Sequence, residues 1–340
     1  MKLFYSTLVL WISILIFSSE LLTQNLKQVR TAPKPSDILK NDRTKAIVIP
    51  EFGLKLHLFA DRNSDVLRKL NFGERVRFDE NSLEAPNPDW IPVILQDGLS
   101  GFVLRKYLIF VPKNKFLQTL VFESEKKLNS KSFDYKQKMD ITDVLFSSSA
   151  TGEFTGDDFI YLRAKAGFAL KKTLEQINEL SLKPDDNEEL LGFLKRHQTK
   201  LLFDYGSGKY YMDSNYFWKL IESYPKTKYS DYAGYLAIES LPIFECKSDL
   251  KCRLEELRKG KMRYIYLFPT GNYVKIYLKD ILNALSSITK DQDSIACYPP
   301  VPDSIRSEIN IMFRYIGEYG SNERKAILPH LNILKSECLK

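Results

Sequence analysis

Three histidines, four cysteines and a few paired carboxylates are the residues of this chain whose types could do chemistry, and their spacing limits what that chemistry can be. His57, His197 and His330 stand in three separate contexts, and no two lie one helical turn apart as a zinc-binding helix requires. No Gly-x-Ser-x-Gly elbow is present. A thiol peptidase would want a cysteine opening a helix and a histidine on a later strand. Cys246 and Cys252 read as loop residues, and the one later histidine, His330, follows Pro329 in a helical tail. Gly206-Ser207-Gly208-Lys209 is too short for a phosphate loop and follows no predicted strand, so it reads as the end of a helix running through Phe203. Glycoside hydrolysis needs only two carboxylates, and Asp157-Asp158, Asp185-Asp186 and Glu188-Glu189 qualify by type. Each pair, however, falls where helix caps and first turns prefer acids. His57 reads as a solvent-facing strand residue, and His197, in Lys195-Arg196-His197-Gln198, as part of a polar helix face. The expectation is a protein without catalytic, metal or cofactor residues.

The cysteines point instead to structure. Cys246 and Cys252 flank a short polar segment that closes easily into a local disulfide, and Cys297 would then pair with Cys338 and tie down the tail. A zinc site is disfavoured because neither pair has the short gap of zinc clusters and no histidine lies nearby. Disulfides imply an oxidising compartment, and the N-terminus agrees. Lys2 precedes an apolar run from Leu3 to Phe17, followed by Ser18-Ser19-Glu20. That is the pattern of a secretory signal and is short for a membrane span, which needs about 20 residues. No small-x-small cleavage site follows, so residues 1–22 are either a cleaved signal or an uncleaved N-terminal anchor. In both cases the rest of the chain lies in the periplasm or cell envelope.

The totals fit a globular protein of two domains: 340 residues, 44% hydrophobic and 27% charged. A net charge of +7 with basic residues interleaved among acids gives no tract for nucleic acid, which is excluded as a partner.

The elements that would position any site change character along the chain. After a polar, proline-bearing linker (23–45), the period becomes two. Leu54, Leu56 and Leu58 alternate with Lys55 and His57. Val66 to Leu70 forms a second apolar patch, Gly73-Glu74 a turn into Arg75–Phe78, and Trp90–Leu95 a further strand. Asp97-Gly98 then makes a hairpin turn into Gly101–Leu104. In order and spacing this region, 46–112, resembles the bacterial SH3 (SH3b) family. Leu54-Lys55-Leu56-His57 matches its opening strand and Leu70-Asn71-Phe72-Gly73 its leucine-x-x-Gly turn. Trp90 matches the tryptophan of the next strand, and Gly98-Leu99-Ser100-Gly101-Phe102-Val103 with Tyr107-Leu108 its closing element. Two positions depart: His57 where the family has Arg, and Phe102 where it has Trp. The resemblance implies a small β-barrel that contacts peptidoglycan or an envelope peptide, with His57, Trp90, Phe102 and Tyr107 as ligand-binding candidates. Trp90 and Tyr107 read as barrel core ahead of ligand-stacking aromatics.

From Asn114 onward the period is helical. Phe159 to Leu182 is a long amphipathic run behind Thr155-Gly156-Asp157-Asp158, and Pro184 ends it. A weak internal repeat follows at 214–242 and 258–286. Tyr224-Pro225-x-x-x-Tyr229 is echoed by Phe268-Pro269-x-x-x-Tyr273, with Ala233, Ala237 and Leu241 aligned on Tyr277, Ile281 and Leu285. A looser third copy runs from Ile305 through Tyr319-Gly320 to Leu334. The signature is similar to the helical hairpins of tetratricopeptide-like exported proteins, which implies a surface for a protein partner. The fold class read from the sequence is therefore α+β: a small SH3-like β-barrel followed by an all-α domain, 113–340. The function read from it is non-enzymatic binding at the cell envelope, against a wall hydrolase with carboxylates in the helical part or a structural scaffold.

Overall fold

The computed structural model describes residues 45–48, 54–78, 89–111, 115–241, 246, 249–290, 303–317 and 322–338. The predicted leader, the linker up to residue 44, and Cys297 lie outside them. Contacts group the chain into two units, Met1–Leu182 and Lys183–Lys340. The architecture is α+β, with an antiparallel sheet first and helices after it.

In the first unit, seven strands form one antiparallel sheet. They are β1 (Lys45–Val48), β2 (Leu54–His57), β3 (Val66–Leu70), β4 (Arg75–Arg77), β5 (Trp90–Ile94), β6 (Ser100–Leu104) and β7 (Leu108–Val111), in the order β3-β2-β6-β5-β4-β1-β7. Alternation decides the faces: Leu54 and Leu56, Ile91 and Val93, and Val103 enter one core shared with Val48, Val76 and Leu108. Gly73 (φ +76°) and Gly98 (φ +89°) take the left-handed conformations their turns require. The expected apolar patch at Val66–Leu70 is corrected: β3 is an edge strand, and Leu70 alone of its residues is buried. With a neighbour on one side only, the remaining side chains have nothing to pack beneath.

Three helices follow: α1 (Phe116–Leu128), α2 (Tyr135–Ala150) and α3 (Gly156–Glu179). A capping box fixes the start of α2. Asp134 accepts from the Gln137 amide, and the Gln137 side chain accepts from the Asp134 amide. Leu162, Ala166, Ala169, Leu170, Leu174 and Ile177 of α3 are buried as the stripe predicts, while Leu180 is exposed beyond its end. The periodicity changes at 112/113, yet these helices group with the sheet. Three contacts explain why. Arg75 makes a bidentate ion pair with Glu153 and lies 3.5 Å over the Phe116 ring. Lys127 sits over Phe72 and Phe133. Gly73 lies so close to α2 that a Cβ would stand 2.4 Å from Val144 Cγ1.

The second unit begins with α4 (Glu188–His197) and is not purely helical. β8 (Leu201–Asp204) and β9 (Lys209–Met212) form a hairpin. The helix expected through Phe203 therefore stops at His197, and the glycine segment is a turn between strands. Asp204 accepts hydrogen bonds from the amides of Gly206 and Ser207 and from the Ser207 hydroxyl, and Gly208 turns left-handed at φ +67°. The carboxylate fills the amide nest that a phosphate would need.

Helical hairpins make up the remainder. α5 (Ser214–Ser223) packs on α6 (Ser230–Glu239). α7 (Leu250–Leu257), a π-turn (Arg258–Met262) and α8 (Arg263–Leu267) run on into α9 (Val274–Lys290). α10 (Asp303–Gly317) packs on α11 (Asn322–Cys338). The aromatic-proline segments end α5 and α8, and Tyr229 and Tyr273 stand just before α6 and α9. Successive hairpins touch: α7 packs on α10, and α9 on α11.

Candidate functional site

The candidate ligand face lies on the outer side of the sheet. His57 and Phe102 are Cα partners across β2 and β6, and Phe102 and Pro92 are partners across β6 and β5. His57, Phe102 and Pro92 thus form a row across three strands, opposite the core residues Leu56, Val103 and Ile91. Trp90, two residues before Pro92, shares that face. Its ring stands edge-on to His57, with centroids 5.2 Å apart.

Burial within this row corrects one expectation. His57 is 7% exposed and Trp90 6%, although alternation points both away from the core. The Trp90 edge contact shelters the imidazole, and its Nδ1 lies 3.2 Å from the Ser64 carbonyl oxygen. Gly101 lets β2 come this near, since a Cβ there would lie 2.6 Å from the His57 carbonyl oxygen. Phe102 and Pro92 remain half-buried and offer apolar surface. Tyr107 stands apart on a short 3-10 turn, half-buried against the core with Lys106 Nζ 4.8 Å over its ring. Three of the four sequence candidates therefore belong to one patch. Pro92 was missed: a proline inside an alternating strand was the available signal.

The acids stay where helix starts place them. Asp157 and Asp158 lie in the first turn of α3, Asp185 and Asp186 in a 3-10 turn, Glu188 and Glu189 in the first turn of α4, and all six are exposed. His197 is corrected from a polar face to a buried position, 4% exposed, with Phe193 edge-on at 4.8 Å. It lies on the inner side of α4, where the helix ends. His330 is half-buried on α11, its Nδ1 2.7 Å from the Thr289 hydroxyl. Among the described residues, no three His, Cys, Asp or Glu side chains converge as metal ligands. No helix among them is long and apolar enough to cross a membrane.

Cys246 and Cys252 form a disulfide, with Cys252 in the first turn of α7 and not in a loop. Cys338 is also disulfide-bonded.

The helical hairpins are joined by a polar node that sequence reading did not find. The Asp231 carboxylate, in the first turn of α6, accepts from the Tyr264 hydroxyl, from the Asn272 amide (3.0 Å) and from Asn272 Nδ2 (2.7 Å). The Tyr273 amide donates to the same phenol oxygen. Around the node, Tyr235 stacks on Tyr273 at 4.3 Å, and Tyr264 meets Tyr277 edge-on. The Tyr277 hydroxyl is buried without a hydrogen-bond partner among the described residues, and burial with the nearby Glu239 carboxylate keeps it protonated far above the ordinary tyrosine range.

No protein-family model matches the chain, and no curated protein sequence is similar to it.

Proposed function

We propose that this is an exported, non-enzymatic binding protein of the cell envelope. In this reading the sheet is an SH3b-like module that contacts peptidoglycan or an envelope peptide, and the helical hairpins, which resemble tetratricopeptide repeats, contact a protein partner. The observation that carries the reading is the outward row His57–Phe102–Pro92, in which Phe102 and Pro92 present half-buried apolar surface beside the packed His57 and Trp90 rings. Such a strip suits stacking against a sugar face or an extended peptide, with edge-fixed aromatics losing little side-chain entropy. Alternation puts Arg75 on the same outward face, but at its β4 end, where Glu153 and Phe116 cover it, which leaves the β2–β6–β5 end of that face for a ligand.

The test is co-sedimentation of the intact chain with purified peptidoglycan sacculi. Wild type should pellet with the wall, and Phe102→Ser should remain in solution while unfolding at nearly the same denaturant concentration. An unaltered pellet for Phe102→Ser would sink this assignment of the face. Release of soluble wall fragments would replace it with the hydrolase reading.

A further inference from the structure

A cavity of about 310 Å³ lies along one face of α7, in the second unit. Its walls are Leu241 at the end of α6, Cys252 of the disulfide, and Lys251, Glu255, Glu256 and Lys259. Asp249, also at its rim, is engaged in capping α7 through the Cys252 amide. The charges within it are not equally free. Both lysines turn to one carboxylate: Lys259 Nζ lies 2.7 Å and Lys251 Nζ 3.9 Å from Glu255. The Lys259 hydrogen bond holds Glu255 below the ordinary glutamate range, so that group is anionic and satisfied. Among the described residues, no lysine or arginine forms an ion pair with Glu256. Its carboxylate lies 3.8 Å from Cys246 Sγ, a disulfide sulfur that has no proton to give.

Leu241 and the disulfide supply the apolar part of the wall around that carboxylate. The disulfide staples Cys246 to the first turn of α7. Leu241 is seated on the π-turn: a Cβ at Gly260 would stand 2.7 Å from Leu241 Cδ1, so the glycine lets that side chain lie close. π-turns are rare in helices and concentrate at functional sites. The first hairpin's α5, which the repeat aligns with Arg258–Leu267, shows no such turn.

We propose that this cavity binds an organic cation, a primary ammonium or guanidinium on a short aliphatic stem. The stem lies against Leu241 and the disulfide, and the head pairs with Glu256. A stretch of apolar wall beside a carboxylate that no described lysine or arginine pairs with is the complement of a lysine-like group, whose stem prefers apolar cover and whose head prefers an anion. The same chemistry could come from a free amine or from the side chain of a partner protein.

The test is calorimetric titration of the intact, oxidised chain with cadaverine, with Gly-Gly-Lys-Gly-Gly, and with its norleucine counterpart. The expected result is binding of the cationic probes and at least tenfold weaker binding of the norleucine peptide. Tighter binding of cadaverine than of the lysine peptide identifies a free amine as the source, and the reverse order a partner side chain. Glu256 is exposed, so Glu256→Gln should fold normally and weaken binding about tenfold. Lys259→Gln removes a competing cation and should tighten binding severalfold, an effect that misfolding cannot mimic. Absence of binding, equal binding of norleucine, an unchanged Glu256→Gln affinity, or weaker binding by Lys259→Gln each overturns the proposal. None of these outcomes bears on the β-module assignment.

Discussion

Substituting Asp231 should loosen the junction between the first two helical hairpins, and the size of the effect follows from what its carboxylate holds. Tyr264 is 0% exposed, so without Asp231 its hydroxyl is left in the core with no charged acceptor. A buried polar group stripped of its partner costs about 1–3 kcal/mol. The two bonds from Asn272 are exposed and add roughly 1 kcal/mol together. Asp231→Ala should therefore cost about 3 kcal/mol. Thermal unfolding by far-UV circular dichroism should show the helical transition falling by about 6–12 °C, at roughly 2–4 °C per kcal/mol for a unit of this size. Tyr264→Phe removes the same bond from the other side but leaves Asp231 its two Asn272 donors, so it should cost about 1.5 kcal/mol. Combining the two removes the Asp231–Tyr264 bond only once. The double variant should lose at least about 1 kcal/mol less than the sum of the singles. Additivity within about 0.5 kcal/mol would refute the claim that this bond joins the hairpins.

Gly73→Ala should cost about 3 kcal/mol, because φ is +76° and the new methyl would meet Val144; adding Val144→Ala should recover about half of that in urea unfolding. Trp90→Ala should lower stability by about 4 kcal/mol and Phe102→Ala by no more than about 1.5 kcal/mol, since the first ring is sealed and the second half-exposed; equal denaturation midpoints would contradict that assignment. Glu175 is partly buried, which raises its pKa, but hydrogen bonds from Lys171 and Lys172 outweigh burial and hold it below the ordinary glutamate range. A depressed carboxylate contributes stability that is present above its unfolded pKa and lost as pH falls through the folded one. Wild type should thus lose more stability than Glu175→Gln on acidification below the ordinary glutamate range, and parallel curves would contradict the pairing.

Much of the β region was legible because alternation and turn glycines are local signals. Leu54, Leu56, Ile91 and Val93 declare their face by period two, and Asp97-Gly98 declares its turn. What alternation could not show was that an outward residue can still be covered: His57 is buried by the Trp90 ring, a contact between strands far apart in sequence. The hairpin at Leu201–Met212 was misread because its apolar residues continue the helical stripe of α4 without a proline to break it. The cue lay in Asp204 before Gly206-Ser207-Gly208, whose carboxylate accepts the turn amides. The aromatic-proline stops of α5 and α8 were readable, since proline forbids helix continuation. Asp231 was not, because a carboxylate in a first turn looks the same whether it serves only the helix dipole or also binds the next hairpin.

The π-turn at Arg258–Met262 has a consequence for the periodicity of the chain itself. An extra residue in one turn resets the angular phase, so α7 and α8 follow one another along an axis while addressing different neighbours. Ahead of the reset, Leu250 and Leu254 are buried; within it, Arg258 pairs with Glu308 of α10; beyond it, Tyr264 reaches back to Asp231 of α6. A hydrophobic stripe of constant pitch could not serve both directions. Deleting one residue here would restore a regular helix and rotate everything upstream by about 100°, the angle of one helical residue. The chain would keep its composition and its helicity and lose its wiring.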